Sequence, residues 1–210
     1  MKRELAESFS QSFHPLLIPF YSLLFIFVLP IFEVSSLGSN FQLFIIIVVA
    51  ITTIVLPIIS LIFLKRQKLV SSFLIENRKE RNTPYIMMFI YYTITTIMLF
   101  RVDFMPYIIP LVIGVAAVGT LVLFLINLRI KISVHAMGMG SLGGLIYLLM
   151  YFYELQLMVP LIVVLLLSAI VIASRYYLKA HTATELTMGY FAGIFISIGI
   201  GFYFLSPLFV

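Results

Sequence analysis

The chain has 210 residues, of which 63% are hydrophobic and only 10% charged, and it contains no cysteine. A soluble domain carries about 25% charged residues, so water cannot solvate this surface, and a disordered chain would lack its apolar content. The missing cysteines exclude a disulfide framework, a thiolate nucleophile and Cys-based metal centres, and a net charge of +5 in so apolar a chain reads as a membrane-orientation signal, with no nucleic acid as partner.

A helix that crosses about 30 Å of hydrocarbon needs about 20 mostly apolar residues. Seven windows without Asp, Glu, Lys or Arg each have room for one: Ser8–Phe32, Val34–Leu64, Asn82–Phe100, Phe104–Leu128, Ile132–Tyr153, Leu155–Ser174 and Leu186–Val210. The first is expected as a retained span. Its apolar core, Leu16–Phe32, is long for a signal peptide, and no small-residue cleavage site follows. The second is the longest and opens on a polar lead-in, Ser35–Asn40. Between it and the third lies the longest polar stretch, Lys65–Thr83, which Val70, Phe73, Leu74 and Ile75 make partly amphipathic; an interfacial helix is expected there. The third window is short and the sixth opens at Val159-Pro160, so six spans is the alternative count. In the fifth, Gly138, Gly140, Gly143 and Gly144 predict close approach of a neighbouring helix. Continuous apolar runs, without alternation, argue against barrel strands. The expected fold is all-α: a polytopic membrane helical bundle forming a single integral membrane domain, 1–210.

With seven spans, the N-terminus and the loops Lys65–Thr83, Arg129–Lys131 and Arg175–Glu185 share one side. Of the 13 lysines and arginines, only Arg101 falls on the other side. The cation-rich side is then cytoplasmic, with the outer face as the alternative, and Lys65, Arg66 and Lys68 read equally well as topogenic anchors. The 12 tyrosines suit an interfacial belt.

Two histidines lie at span borders on this side, His135 at the start of the fifth window and His181 before the last. Glu185 is four residues after His181, so on a helix the two stack on one face. A carboxylate there accepts the proton of one ring nitrogen and leaves the other to attack. Arg175 offers a planar donor fork suited to phosphate. Lys131, four residues before His135, points the same way if that segment is helical. Blander readings stand beside these: His135 as a hydrated interfacial residue, and Glu185 as a charge favouring the N-terminus of the last helix. His14, before Pro15 and outside any motif, reads as interfacial. No His-x-x-x-His or Glu-x-x-His spacing suggests a metal site, and no cofactor is expected.

Ser174-Arg175, five residues, His181, three residues, Glu185 resembles the third signature motif of the type-2 phosphatidic acid phosphatase superfamily, in which the last position is Asp. Ser133-Val134-His135 is similar to the second motif, Pro-Ser-Gly-His, with Ile132 and Val134 replacing proline and glycine. The first motif, Lys, six residues, Arg-Pro, is matched only loosely by Asn77–Pro84, which carries cations before a proline out of register. The resemblance runs from Glu76 onward. It implies a membrane-bound lipid phosphatase working without metal. His181 would attack phosphorus, His135 would protonate the leaving alcohol and then activate water, and Glu185 would orient His181. Arg175, Lys131, Arg81, Arg78 and Ser133 would bind phosphate. The implied substrate is a lipid phosphate in the bilayer. The altered motifs leave open a member that binds lipid phosphate or a partner protein without turnover.

Overall fold

The computed structural model describes residues 2–73, 75 and 77–209; Leu74, Glu76 and Val210 lie outside the described residues. Every regular element among the described residues is helical. Among the described residues, seven helical stretches are long and apolar enough to cross a membrane: Arg3–Phe27, Ser39–Arg66, Arg78–Phe100, Ile108–Asn127, Val134–Phe152, Met158–Tyr177 and Ala183–Leu208. The chain is thus an all-α, multi-pass membrane protein. It forms two compact units, Met1–Ile18 with Lys131–Val210, and Pro19–Ile130.

The first window is not one uninterrupted helix. Helix α1 (Arg3–Ser12) stops before His14, a 3-10 turn covers Pro15–Leu17, and α2 (Ile18–Phe27) follows. Proline disfavours α geometry in the residue before it, and His14 accordingly sits extended, at φ −62° and ψ 136°. A further proline, Pro30, precedes the short helix α3 (Phe32–Ser35). The remaining windows each hold one helical rod, with ends shifted by a few residues.

In the unit Pro19–Ile130, α4 (Ser39–Ala50) continues through a π-helical turn, Ile51–Val55, into α5 (Leu56–Arg66). Pro57 explains the turn: it has no N–H for the Thr53 carbonyl, and its ring crowds that carbonyl. The Tyr92 hydroxyl of α6 (Asn82–Phe100) donates to Thr53 O across 3.5 Å, which matters where no water can replace a lost bond. Helix α7 (Ile108–Asn127) packs along α6.

The interfacial helix expected over Lys65–Thr83 is absent among the described residues. Between α5 and α6 only a 3-10 turn, Arg78–Arg81, forms. The segment folds instead around Glu80, whose carboxylate accepts from Ser71 N–H (2.7 Å), Ser71 Oγ (2.8 Å) and Asn77 Nδ2 (3.2 Å). Lys65 Nζ lies 3.8 Å from the centre of the Phe73 ring, so one of the apolar residues of this segment is engaged locally.

In the other unit, α8 (Val134–Phe152) packs against α10 (Ala183–Phe209) and α9 (Met158–Tyr177), and α1 lies along α9, burying Ala6 and Ser10. The α8–α10 contact is made backbone to backbone. A Cβ on Gly140 would strike the Tyr190 carbonyl oxygen, and one on Gly193 would strike that of Met137. The expected close approach thus occurs at Gly140 and Gly144, the latter against Ser197. Gly138 faces Ile18, and Gly143 has open space.

Candidate active site

The tight α8–α10 contact brings the start of α8 beside the start of α10. Ser133 caps α8, its Oγ accepting from Ala136 N–H at 3.3 Å, and it is fully buried. The Ser133 N–H donates to the Glu185 carbonyl at 3.3 Å, and Lys131 Nζ donates to the Ala180 carbonyl at 2.7 Å. Lys131 is therefore not on a helical face below His135, because α8 begins only at Val134. Its side chain instead ties the segment leading into α8 to the segment leading into α10.

Helix α9 ends in a Schellman arrangement. Lys179 takes a left-handed φ of 54°, its N–H donates to Tyr176 O at 2.9 Å, and Ala180 N–H donates to Arg175 O at 3.1 Å. This turn sets the path from Arg175 to His181. The sequence Thr182-Ala183-Thr184-Glu185 has capping-box spacing, and Glu185 N–H donates to Thr182 Oγ1 at 3.3 Å. The Glu185 carboxylate does not fold back on the cap. It accepts from His181 Nδ1 at 2.7 Å, with the imidazole side chain 3% exposed and the carboxylate 22% exposed. The pair predicted from the four-residue spacing is present, but His181 precedes α10, so the cap geometry and not helical stacking brings them together. Glu185 also stands in the first turn of α10, where the helix dipole favours a negative charge.

His135 Nε2 lies 3.1 Å from the Ser10 carbonyl of α1. The His14 ring meets it edge-on, centroids 5.5 Å apart at 79°. Arg175 is within electrostatic reach of both rings, and His181 of His135. His135, His181, Glu185, Arg175, Lys131 and Ser133 therefore all belong to one unit, together with His14. His14, expected as an interfacial residue, is exposed and is also a ring neighbour of His135. Its sequence signal was the helix stop at Pro15, which places the ring at a bend.

Arg81 and Arg78 belong to the other unit. Arg81 is buried and donates from Nε to Ile75 O at 2.7 Å. Arg78 donates to the Asn127 carbonyl, while Asn127 Nδ2 donates to Arg78 O (2.8 Å) and Asn82 Oδ1 (2.7 Å). Arg81 closes the segment before α6, and Arg78 ties the entry to α6 to the end of α7. Among the described residues, no group of three or more His, Asp or Glu is arranged to hold a metal ion.

Fold and site define a class, a multi-pass helical membrane protein with a carboxylate-held histidine in a cluster of imidazoles and cations. Comparison with models of known families, with curated proteins and with solved structures finds no match to this chain.

Proposed function

We propose that this protein is an integral membrane phosphatase that hydrolyses a lipid phosphate by the chemistry of the type-2 phosphatidic acid phosphatases. The observation that carries this is the buried His181–Glu185 pair at 2.7 Å. A carboxylate accepting from Nδ1–H places the lone pair on Nε2 and stabilises positive charge as that nitrogen bonds to phosphorus. His181 Nε2 attacks phosphorus, the bond from phosphorus to the lipid oxygen breaks, and His135 gives that oxygen a proton. His135 then takes a proton from water, the resulting hydroxide attacks phosphorus, and the P–N bond breaks to release inorganic phosphate. Arg175 and Lys131 supply positive charge to the phosphoryl oxygens. Candidate substrates are phosphatidic acid, phosphatidylglycerophosphate and isoprenyl phosphates or diphosphates. The lipid tail enters from the bilayer, the connecting segments being short.

Purified protein is expected to release phosphate from one of these lipids in EDTA, and His181→Ala to lower the rate by more than about a thousandfold. Full activity in that variant would remove the mechanism. A second reading, a member that binds lipid phosphate or a partner protein without turnover, is favoured by one observation: Arg78 and Arg81, which the family pattern would turn toward phosphate, donate to backbone carbonyls. It predicts vanadate binding with no phosphate release.

The charge distribution supports a place in the cytoplasmic membrane with the site facing the cytoplasm. Because the chain has no cysteine, one introduced beside Arg129 reports its side cleanly. Protection from an impermeant thiol reagent in intact cells is expected, and labelling would reverse the orientation.

A further inference from the structure

Two histidines of the site are each held by an acceptor on one ring nitrogen, and the acceptors differ. For His181 it is the Glu185 carboxylate on Nδ1; for His135 it is a backbone carbonyl, that of Ser10, on Nε2. A carbonyl can only accept, so Nε2 of His135 carries its proton and Nδ1 carries the lone pair. The carbonyl is available for a reason written in the chain. Ser10 is in the last turn of α1, whose terminal carbonyls have no partner within the helix. The N–H that would reach Ser10 O in a continuing helix is that of His14, and it donates instead to Gln11 O at 3.2 Å. Pro15 stops the helix there. The bend also sets the His14 ring against His135, with its own Nδ1 accepting from Leu16 N–H at 3.4 Å.

We infer that the N-terminal segment Lys2–Leu17 is a working wall of the site: the Ser10 carbonyl at the C-terminus of α1 fixes His135 as its Nε2–H tautomer, and His14 is a positioning residue that holds the ring in place. With Nε2–H held by the Ser10 carbonyl, Nδ1 is the nitrogen left to take up and release a proton. His135 is thereby suited to give and take protons through Nδ1, while His181, backed by a full negative charge, is the stronger nucleophile. The buried Ser10 hydroxyl has no hydrogen-bond partner among the described residues, so the backbone of Ser10, not its side chain, does the holding.

The catalytic consequence rests on the phosphatase reading, whereas the tautomer does not. The chain has three histidines, so full-length protein labelled with 15N-histidine in nanodiscs gives three imidazoles, assigned by single replacements. His135 is expected as the Nε2–H tautomer and His181 as the Nδ1–H tautomer, and Ser10→Ala is expected to leave His135 unchanged. A His135 found as the Nδ1–H tautomer, or shifted by Ser10→Ala, overturns the inference whether or not any lipid is hydrolysed. In phosphate release, His14→Ala is expected to lower kcat about tenfold with KM nearly constant, and His14→Phe, which keeps a ring edge against His135, to restore most of it. An unchanged kcat in His14→Ala overturns the positioning role. Wild-type protein with no phosphate release on any lipid would remove the phosphatase reading while leaving the tautomer measurement to decide this one.

Discussion

Helices α7 and α8 each hold the centre of a unit, and each has 61% of its apolar window buried, yet they are buried by different means. Helix α7 packs along α6 and buries Ile108, Ile109, Leu111, Val112, Ile113 and Leu123, side chains of a kind that can shift rotamer or slide by fractions of an ångström. Helix α8 buries Gly140, Gly143 and Gly144 among larger residues and meets α10 main chain to main chain. A main-chain contact has no rotamer through which to yield. The candidate site stands at the ends of α8 and α10, where the Ser133–Glu185 bond needs its two backbones at a fixed separation. In the other unit the cations Arg78 and Arg81 reach backbone carbonyls through long side chains, a task that tolerates small shifts. Rigid geometry is found where the proposed chemistry needs it.

The same substitution made in both helices breaks this comparison most strongly. Gly140→Ala puts a methyl group against the Tyr190 carbonyl oxygen, with the carbonyl carbon at 3.0 Å and Ile194 N at 3.2 Å. None of these atoms can turn away, so α8 and α10 must part. The expected cost is about 2–3 kcal/mol, read as a lower midpoint of thermal unfolding in detergent by circular dichroism. The parting should also stretch the Ser133–Glu185 link and lower any phosphate release more than the loss of folded protein explains. An unchanged midpoint would mean the interface is looser than its geometry.

A smaller effect is expected from Asn127→Ala in the other unit. The Asn127 amide holds Arg78 O and Asn82 Oδ1, and both lose a donor. These acceptors are part-buried, so losing the donor costs about 1 kcal/mol, the low end for an unpaired group. The damage is local to the turn before α6, so trypsin should cut faster after Arg78 and Lys79 while α7 packing persists. Equal cleavage rates in wild type and variant would show that the turn is held by other bonds.

How much of this was legible in sequence depended on what kind of atom made each contact. The spans were legible because a charge-free run of the right length has few other fates in this composition. The break in the first of them was missed because a count of charges does not register the helix stop that Pro15 imposes. The interfacial helix over Lys65–Thr83 failed because Glu80 found Ser71 and Asn77 within the segment, a competition among local hydrogen bonds that amphipathicity does not record. The His181–Glu185 pair was legible from spacing, although the cap at Thr182 rather than a continuous helix produces it. The Ser10–His135 bond could not be read at all. It joins residues far apart in the chain, and the acceptor is a main-chain carbonyl, which every residue type carries.

The weakest expected effect sharpens the comparison from the other side. Gly114→Ala places its methyl group in α7, where the nearest atoms are Thr96 Cγ2 at 3.3 Å and Thr96 Oγ1 at 3.8 Å. These are side-chain atoms of α6, where Thr96 Oγ1 donates to Tyr92 O at 2.8 Å. A shift of a few tenths of an ångström between two helices that meet through side chains relieves the contact. Alanine is favoured over glycine within a helix by about 1 kcal/mol, and the crowding offsets part of that. The net expectation is a midpoint equal to or slightly above that of wild type, against the clear fall in Gly140→Ala. If both variants fall alike, α7 is packed as rigidly as α8, and the candidate site does not owe its geometry to the backbone contact.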